Sequence, residues 1–240
     1  MTLDDLLTQL KSAHGSTLRG VVLYGSTAGD PVAKSGHDVL VVVSELDLTS
    51  MQAAGAIARA WQASRNTVPL TLTESEWRSS VDVFAMEHTD IADRHRVLFA
   101  AGGFAPTPRA AIRDADVRHQ LEYEVLALTL GVRSAIAAAG NDVKAQRDIV
   151  AAQASRAVAL MRAALRMAGR TVEPDGQGVC RAAGEIAGFD PEPFIAALRM
   201  RRGEGDVPKR EIGSVVFGFH AGLTALVRWV DQRGKDAAHQ

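Results

Sequence analysis

The chain has 240 residues, 27 basic and 28 acidic, for a formal net charge of −1; this length exceeds the roughly 100–150 residues of a common single domain and predicts two modules. Apolar residues make up 47% but aromatics only 5%, so the composition excludes a disordered chain and requires a core of Ala, Val and Leu, while the balanced charge excludes a chain-wide polyanion-binding surface. The start, MTLDDLLTQLK, lacks a secretory signature and no apolar run stands out at the ~18–20 residues of a membrane span, so the expectation is a cytoplasmic protein without a membrane partner.

Thr2 and Asp5 form a capping box ahead of Leu3, Leu6, Leu7 and Leu10, which share one helical face, and Gly15 suits the stop. Four runs rich in strand formers follow: 18–25 (LRGVVLYG), 37–43 (HDVLVVV), 67–72 (TVPLTL) and 81–91 (VDVFAMEHTDI). Between the second and third, Met51, Ala54, Ile57, Ala58 and Trp61 mark an amphipathic helix behind a Thr49 cap, and a short helix starts from the box Thr73-Glu74-Ser75-Glu76. The unbroken apolar run Val39 to Val43 predicts a strand buried on both faces and covered by helices.

At 100–110 (AAGGFAPTPRA) two glycines and two prolines interrupt every periodicity, which places a domain boundary at 105/106. The charge changes sign there: residues 1–105 carry 8 basic and 12 acidic side chains, residues 106–240 carry 19 and 16. Beyond it the strand signal vanishes, and 108–139, 142–168, 176–187, 191–202 and 208–234 read as helices. In the last, Ile212, Val216, Phe219, Leu223, Leu226 and Val230 form one stripe, which serves a homodimer as readily as a core. The predicted fold is a mixed β-sheet with flanking helices (1–105) followed by an α-helical bundle (106–240).

The segment 18–43 carries the most chemistry. A strand ends in Gly25-Ser26, and after a polar loop a second buried strand opens beside Asp38. Gly25 lets the backbone approach an anion, while the Ser26 hydroxyl and the amides that follow can donate to phosphate oxygens. A carboxylate at the mouth of the neighbouring strand is placed to hold magnesium bridging those phosphates. The arrangement suits a nucleoside triphosphate, and Lys34 in the loop can contact phosphate.

These features resemble the nucleotidyltransferases of the DNA polymerase β-like superfamily, whose signature is a strand, Gly-Ser, about ten residues, then Asp-x-Asp opening a second strand, with a third carboxylate on a later strand. The segments 82–102 and 118–133 also resemble bacterial proteins in which a nucleotidyltransferase domain precedes a helical domain. The resemblance implies Gly25 and Ser26 as phosphate holders, Asp38 as metal ligand and catalytic residue, and Glu87, mid-strand in 81–91, as the acidic base, with Asp82 and Asp90 as alternatives. The chain departs from the signature at Asp-x-Asp: it has Gly36-His37-Asp38 or, in a shifted frame, Asp38-Val39-Leu40, one carboxylate short either way. The first frame keeps Val39 to Val43 as the apolar strand. His37 is then either a substitute ligand, of a kind suited to a transition metal, or a polar residue at a strand entrance.

Two functions follow. One is a degenerate, catalytically impaired relative (a pseudoenzyme) serving as a nucleotide-binding or regulatory module. The other is an active magnesium-dependent enzyme moving a nucleoside monophosphate from a triphosphate to a hydroxyl of a small molecule or protein. His88, His95 and His119 show no metal-ligand spacing, and Cys180, the sole cysteine, reads as a buried small hydrophobe. The basic residues of 109–170 read as solvated helix faces with i,i+4 partners such as Glu122 and Asp148, and the scarcity of aromatics near the Arg199–Arg202 cluster argues against a nucleic-acid partner.

Overall fold

The structure, a computed structural model, describes residues 1–28, 36–173, 175–204 and 207–238. Two compact units divide the chain, Met1–Asp116 and Val117–Gln240. The division falls after Asp116, not after residue 105, because the Gly/Pro stretch returns to the first unit: Ala101 N–H donates to Arg19 O at 2.8 Å, and Phe104 is buried with the sheet's core.

In the first unit, α1 (Leu3–His14) starts on the predicted box, with Thr2 Oγ1 accepting from Asp5 N–H at 3.1 Å and the Asp5 carboxylate accepting from Thr2 N–H at 2.9 Å. Strands β1 (Leu18–Tyr24), β2 (Asp38–Val43), β3 (Leu70–Thr73) and β4 (His95–Ala100) form a mixed sheet in the order β3-β2-β1-β4. β1 runs antiparallel to β2 and β4, whereas β2 and β3 are parallel. A parallel pair needs a crossover, supplied here by α2 (Leu48–Ala63).

Side chains alternate across a strand, so each buried strand feeds two cores. Val21, Leu23, Val39, Val41 and Val43 pack with Leu6 and Leu10 of α1 and Ile57 and Trp61 of α2. Val22, Leu40 and Val42 pack on the other face with Trp77 of α3 (Glu74–Ser79), Ile91 of α4 (Ala85–Asp93) and Phe104. Val39 to Val43 are all 0–1% exposed, as an unbroken apolar run requires, and burying each such side chain contributes about 1.5–3 kcal/mol.

Two local expectations are corrected. The cap of α2 is Asp47, not Thr49: Asp47 Oδ1 accepts from Ser50 N–H at 2.7 Å and Ser50 Oγ accepts from Asp47 N–H at 3.1 Å, a reciprocal box two residues earlier. The run 81–91 is not a strand. Its valine and phenylalanine members Val83 and Phe84 are 60% and 40% exposed, and the part from Ala85 is α4, whose buried residues Ala85, His88, Thr89 and Ile91 follow helical spacing. The strand is the next segment, β4, an exposed edge that shows no apolar alternation.

Helix α5 (Asp114–Ala139) leads into the second unit, which continues through α6 (Val143–Met167), α7 (Gly176–Ala187), α8 (Glu192–Arg202) and α9 (Ile212–Ala238). The six-residue stripe of α9 is buried throughout, with Phe219 packing on Phe194 of α8 at 4.5 Å between ring centroids. The stretch Lys209–Arg233 is nevertheless long and apolar enough to cross a membrane, contrary to the sequence expectation, because Val215, Phe217, Ala221, Ala225 and Val227 raise its hydropathy between the stripe positions. Its stripe is spent inside the bundle, the arrangement of a core helix. Cys180 is buried and its thiol is pushed up to about 12, chiefly by burial. The expected i,i+4 pairs form: Arg118–Glu122 at 3.0 Å and Lys144–Asp148 at 3.1 Å.

Candidate functional site

The site is built at the end of β1, where the chain leaves the sheet through a 3₁₀ turn, Gly25–Thr27, closed by Ala28 N–H donating to Gly25 O at 3.3 Å. Gly25 has φ +76°, a conformation that glycine adopts without penalty. A Cβ built there would stand 3.0 Å from Asp38 Oδ2. The carboxylate thus lies directly against the turn that the sequence marks for phosphate. Ser26 occupies the middle of this turn, and Lys34 lies outside the described residues.

Strand parity decides what else can reach Asp38. Position 38 shares the sheet face of Leu40 and Val42, the face covered by α3 and α4. Leu40 itself is 0% exposed, so the shifted frame would bury its missing carboxylate in the core, and Gly36 is the position where the second acid is lacking. Gly36 also has φ +76°, with no described atom within 4 Å of an added Cβ. His37 turns to the opposite face. It is 5% exposed, stacks on Trp61 (5.9 Å between centroids, 19° between planes) and places Nδ1 3.1 Å from Thr27 Oγ1. A ring held there cannot join Asp38 at a metal, so the substitute-ligand reading of His37 is withdrawn.

The third carboxylate is displaced as well. β3 offers Leu70, Thr71, Leu72 and Thr73, and β4 runs from His95 to Ala100 without an acid. Glu87 therefore stands not mid-strand but in the first turn of α4, with Asp90 one turn further along the same helix. The acids still converge, as Tyr24 reports. This last residue of β1 pairs with Asp38 across the sheet and packs against the α3/α4-side core. Burial, then the charges of Asp38, Glu87 and Asp90, hold its phenol well above the ordinary value. Tyr24 is the residue that sequence reasoning missed; its place immediately before Gly25-Ser26, on the face shared with Asp38, was the available signal. Asp82, the other alternative base, precedes α4 in the turn that leads into it.

His88 serves structure. Fully buried on α4, it stacks on Trp77 at 3.8 Å and puts Nε2 3.3 Å from Ser80 Oγ and Nδ1 2.9 Å from Thr107 Oγ1. Burial lowers its pKa to about 4, so the ring is neutral near pH 7. It anchors the helix that carries Glu87 and Asp90.

Among the described residues the side-chain donors do not form a magnesium centre without the phosphates of a substrate. Among the described residues no group of three or more His, Cys, Asp and Glu side chains could hold a metal ion, and Asp38 is the one acid on the strands at the turn.

No protein-family model matches the chain, and no curated protein sequence does. Among solved structures it is similar to the spectinomycin adenyltransferase AAD(9) from Enterococcus faecialis, solved with ATP and spectinomycin. The two are 13% identical with a TM-score of 0.54, covering 93% of this chain and 100% of that one. This likeness shows the architecture: the chain has a nucleotidyltransferase-like fold, a mixed sheet with flanking helices followed by a helical region.

Proposed function

We propose that the chain is a nucleotidyltransferase-fold protein with impaired catalysis that binds a nucleoside triphosphate as a binding or regulatory module. The observation that carries this reading is the Gly25 turn lying against a lone strand carboxylate, Asp38, with glycine at 36 and no acid on β3 or β4. The turn can receive phosphate, but the negative charge that develops in phosphoryl transfer lacks the paired ligands that would hold compensating metal ions. Magnesium in this reading arrives as the counterion of the triphosphate.

A second reading, an active transferase moving a nucleoside monophosphate to a hydroxyl of a small molecule, draws on the convergence of Asp38, Glu87 and Asp90 around Tyr24 and on the ATP and spectinomycin bound by the structural neighbour. Calorimetric titration with ATP, GTP, CTP and UTP, with and without magnesium, combined with a pyrophosphate-release assay, separates the two. The expected result is triphosphate binding without pyrophosphate release, and release gained or raised in Gly36→Asp, which restores the second strand acid. Release by the unaltered chain that Asp38→Ala abolishes would establish the second reading; no binding of any triphosphate would defeat both.

A further inference from the structure

We propose that His37 is a positioning residue: its imidazole clamps the Gly25–Thr27 turn to the entrance of β2 and so fixes the phosphate-receiving backbone against Asp38. The role rests on the nucleotide-binding reading above.

Two elements meet this ring and a third holds its backbone. From the turn, Thr27 Oγ1 lies 3.1 Å from Nδ1. From α2, Trp61 stacks on the ring face. From the segment after α2, Asn66 Oδ1 accepts from His37 N–H at 3.1 Å, while Asn66 Nδ2 donates to Trp61 O at 3.4 Å. One residue earlier, Gly36 N–H donates to Arg65 O at 3.2 Å, and Arg65 has φ +62°, a left-handed conformation that a non-glycine residue holds only where its surroundings impose it. The backbone strain thus lies in the segment that holds the entrance of β2, and the entrance in turn holds the turn. Because His37 immediately precedes Asp38, the first residue of β2, fixing the ring on one face fixes the direction of the carboxylate on the other. A hydrophobic residue at 37 would fill the same space beside Trp61 but would leave Thr27 without its bond across the loop.

The test is a double-mutant cycle with two readouts. His37→Phe keeps a ring for Trp61 and removes the bond; Thr27→Val removes the same bond from the other end and serves if His37→Phe does not fold; His37→Asn returns a polar atom near the Nδ1 position. In the ligand-free protein, amide hydrogen exchange at Ala28, whose N–H closes the turn, should quicken in both single variants and no further in the double. Affinity for magnesium ATP, by calorimetry, should fall about three- to tenfold in each single variant, the loss of one hydrogen bond, with the double no weaker than the singles and His37→Asn recovered. Unchanged Ala28 exchange and unchanged ATP affinity in the single variants, or losses that multiply in the double, would overturn the clamp. If exchange responds but the unaltered protein binds no triphosphate, the nucleotide reading fails and the positioning role with it, while the bond itself stands.

Discussion

Gly25 and Gly36 form a matched pair of backbones, since both have φ +76°, but only Gly25 meets a neighbour: its added Cβ would stand 3.0 Å from Asp38 Oδ2, whereas nothing described lies within 4 Å at Gly36. Substituting alanine at either position forces a left-handed conformation at about 1–2 kcal/mol. For a unit the size of Met1–Asp116, that loss lowers the melting temperature by about 4–8 °C. The two variants should therefore melt within a few degrees of each other. Triphosphate affinity should separate them, because only Gly25→Ala intrudes on the carboxylate and on the surface that phosphate approaches, and a displaced close contact typically forfeits about 1–3 kcal/mol, or roughly five- to 150-fold in binding. Differential scanning calorimetry and isothermal titration on the same preparations measure both quantities. If Gly36→Ala weakens triphosphate binding as much as Gly25→Ala, backbone conformation and not the approach to Asp38 governs the site, and the reasoning is refuted.

Acid stability should depend on His88. Its folded pKa of about 4 lies below the ordinary 6.5, so below pH 6.5 the unfolded chain takes up a proton that the folded chain refuses. Stability is then lost as the pH falls from 6.5 to about 4, by about 3 kcal/mol in all; buried His14, also lowered, acts in the same direction. Thermal melts of His88→Gln should show a shallower pH dependence over that window, and parallel profiles would contradict the assignment. In Tyr123→Phe, which leaves Tyr24 as the one tyrosine of the chain, ultraviolet absorbance should show the phenol of Tyr24, raised by burial and by Asp38, Glu87 and Asp90, ionising only above the ordinary phenol range or on alkaline unfolding. Ionisation of Tyr24 in the ordinary phenol range would remove the evidence that these acids gather at the end of β1.

Much of the fold was legible because its signals are local. The Thr2/Asp5 and Thr73/Glu76 boxes are written in four consecutive residues each and form as read, and the α9 stripe is buried at every position named from its spacing. Misreadings arose where one segment satisfied two patterns. Val81 to Phe84 alternates like a strand, yet Val83 and Phe84 are exposed and the residues that matter, Ala85, His88, Thr89 and Ile91, are spaced for a helix. The edge strand β4 begins with His95 and Arg96, since an edge is not obliged to be apolar on both faces.

By itself the sequence determined the turn chemistry at Gly25-Ser26, the buried strand behind Asp38 and the absence of an acid at 36, because these depend on residue type and on spacing along one chain. Only the tertiary structure decided which side chains share a face. It turned His37 away from Asp38 onto Trp61, moved Glu87 from a strand to a helix, and brought Tyr24 among three acids from β2 and α4. The physical reason is that strand parity and helix packing set neighbours across the sheet, and residues distant in sequence meet there only once the core has fixed both elements.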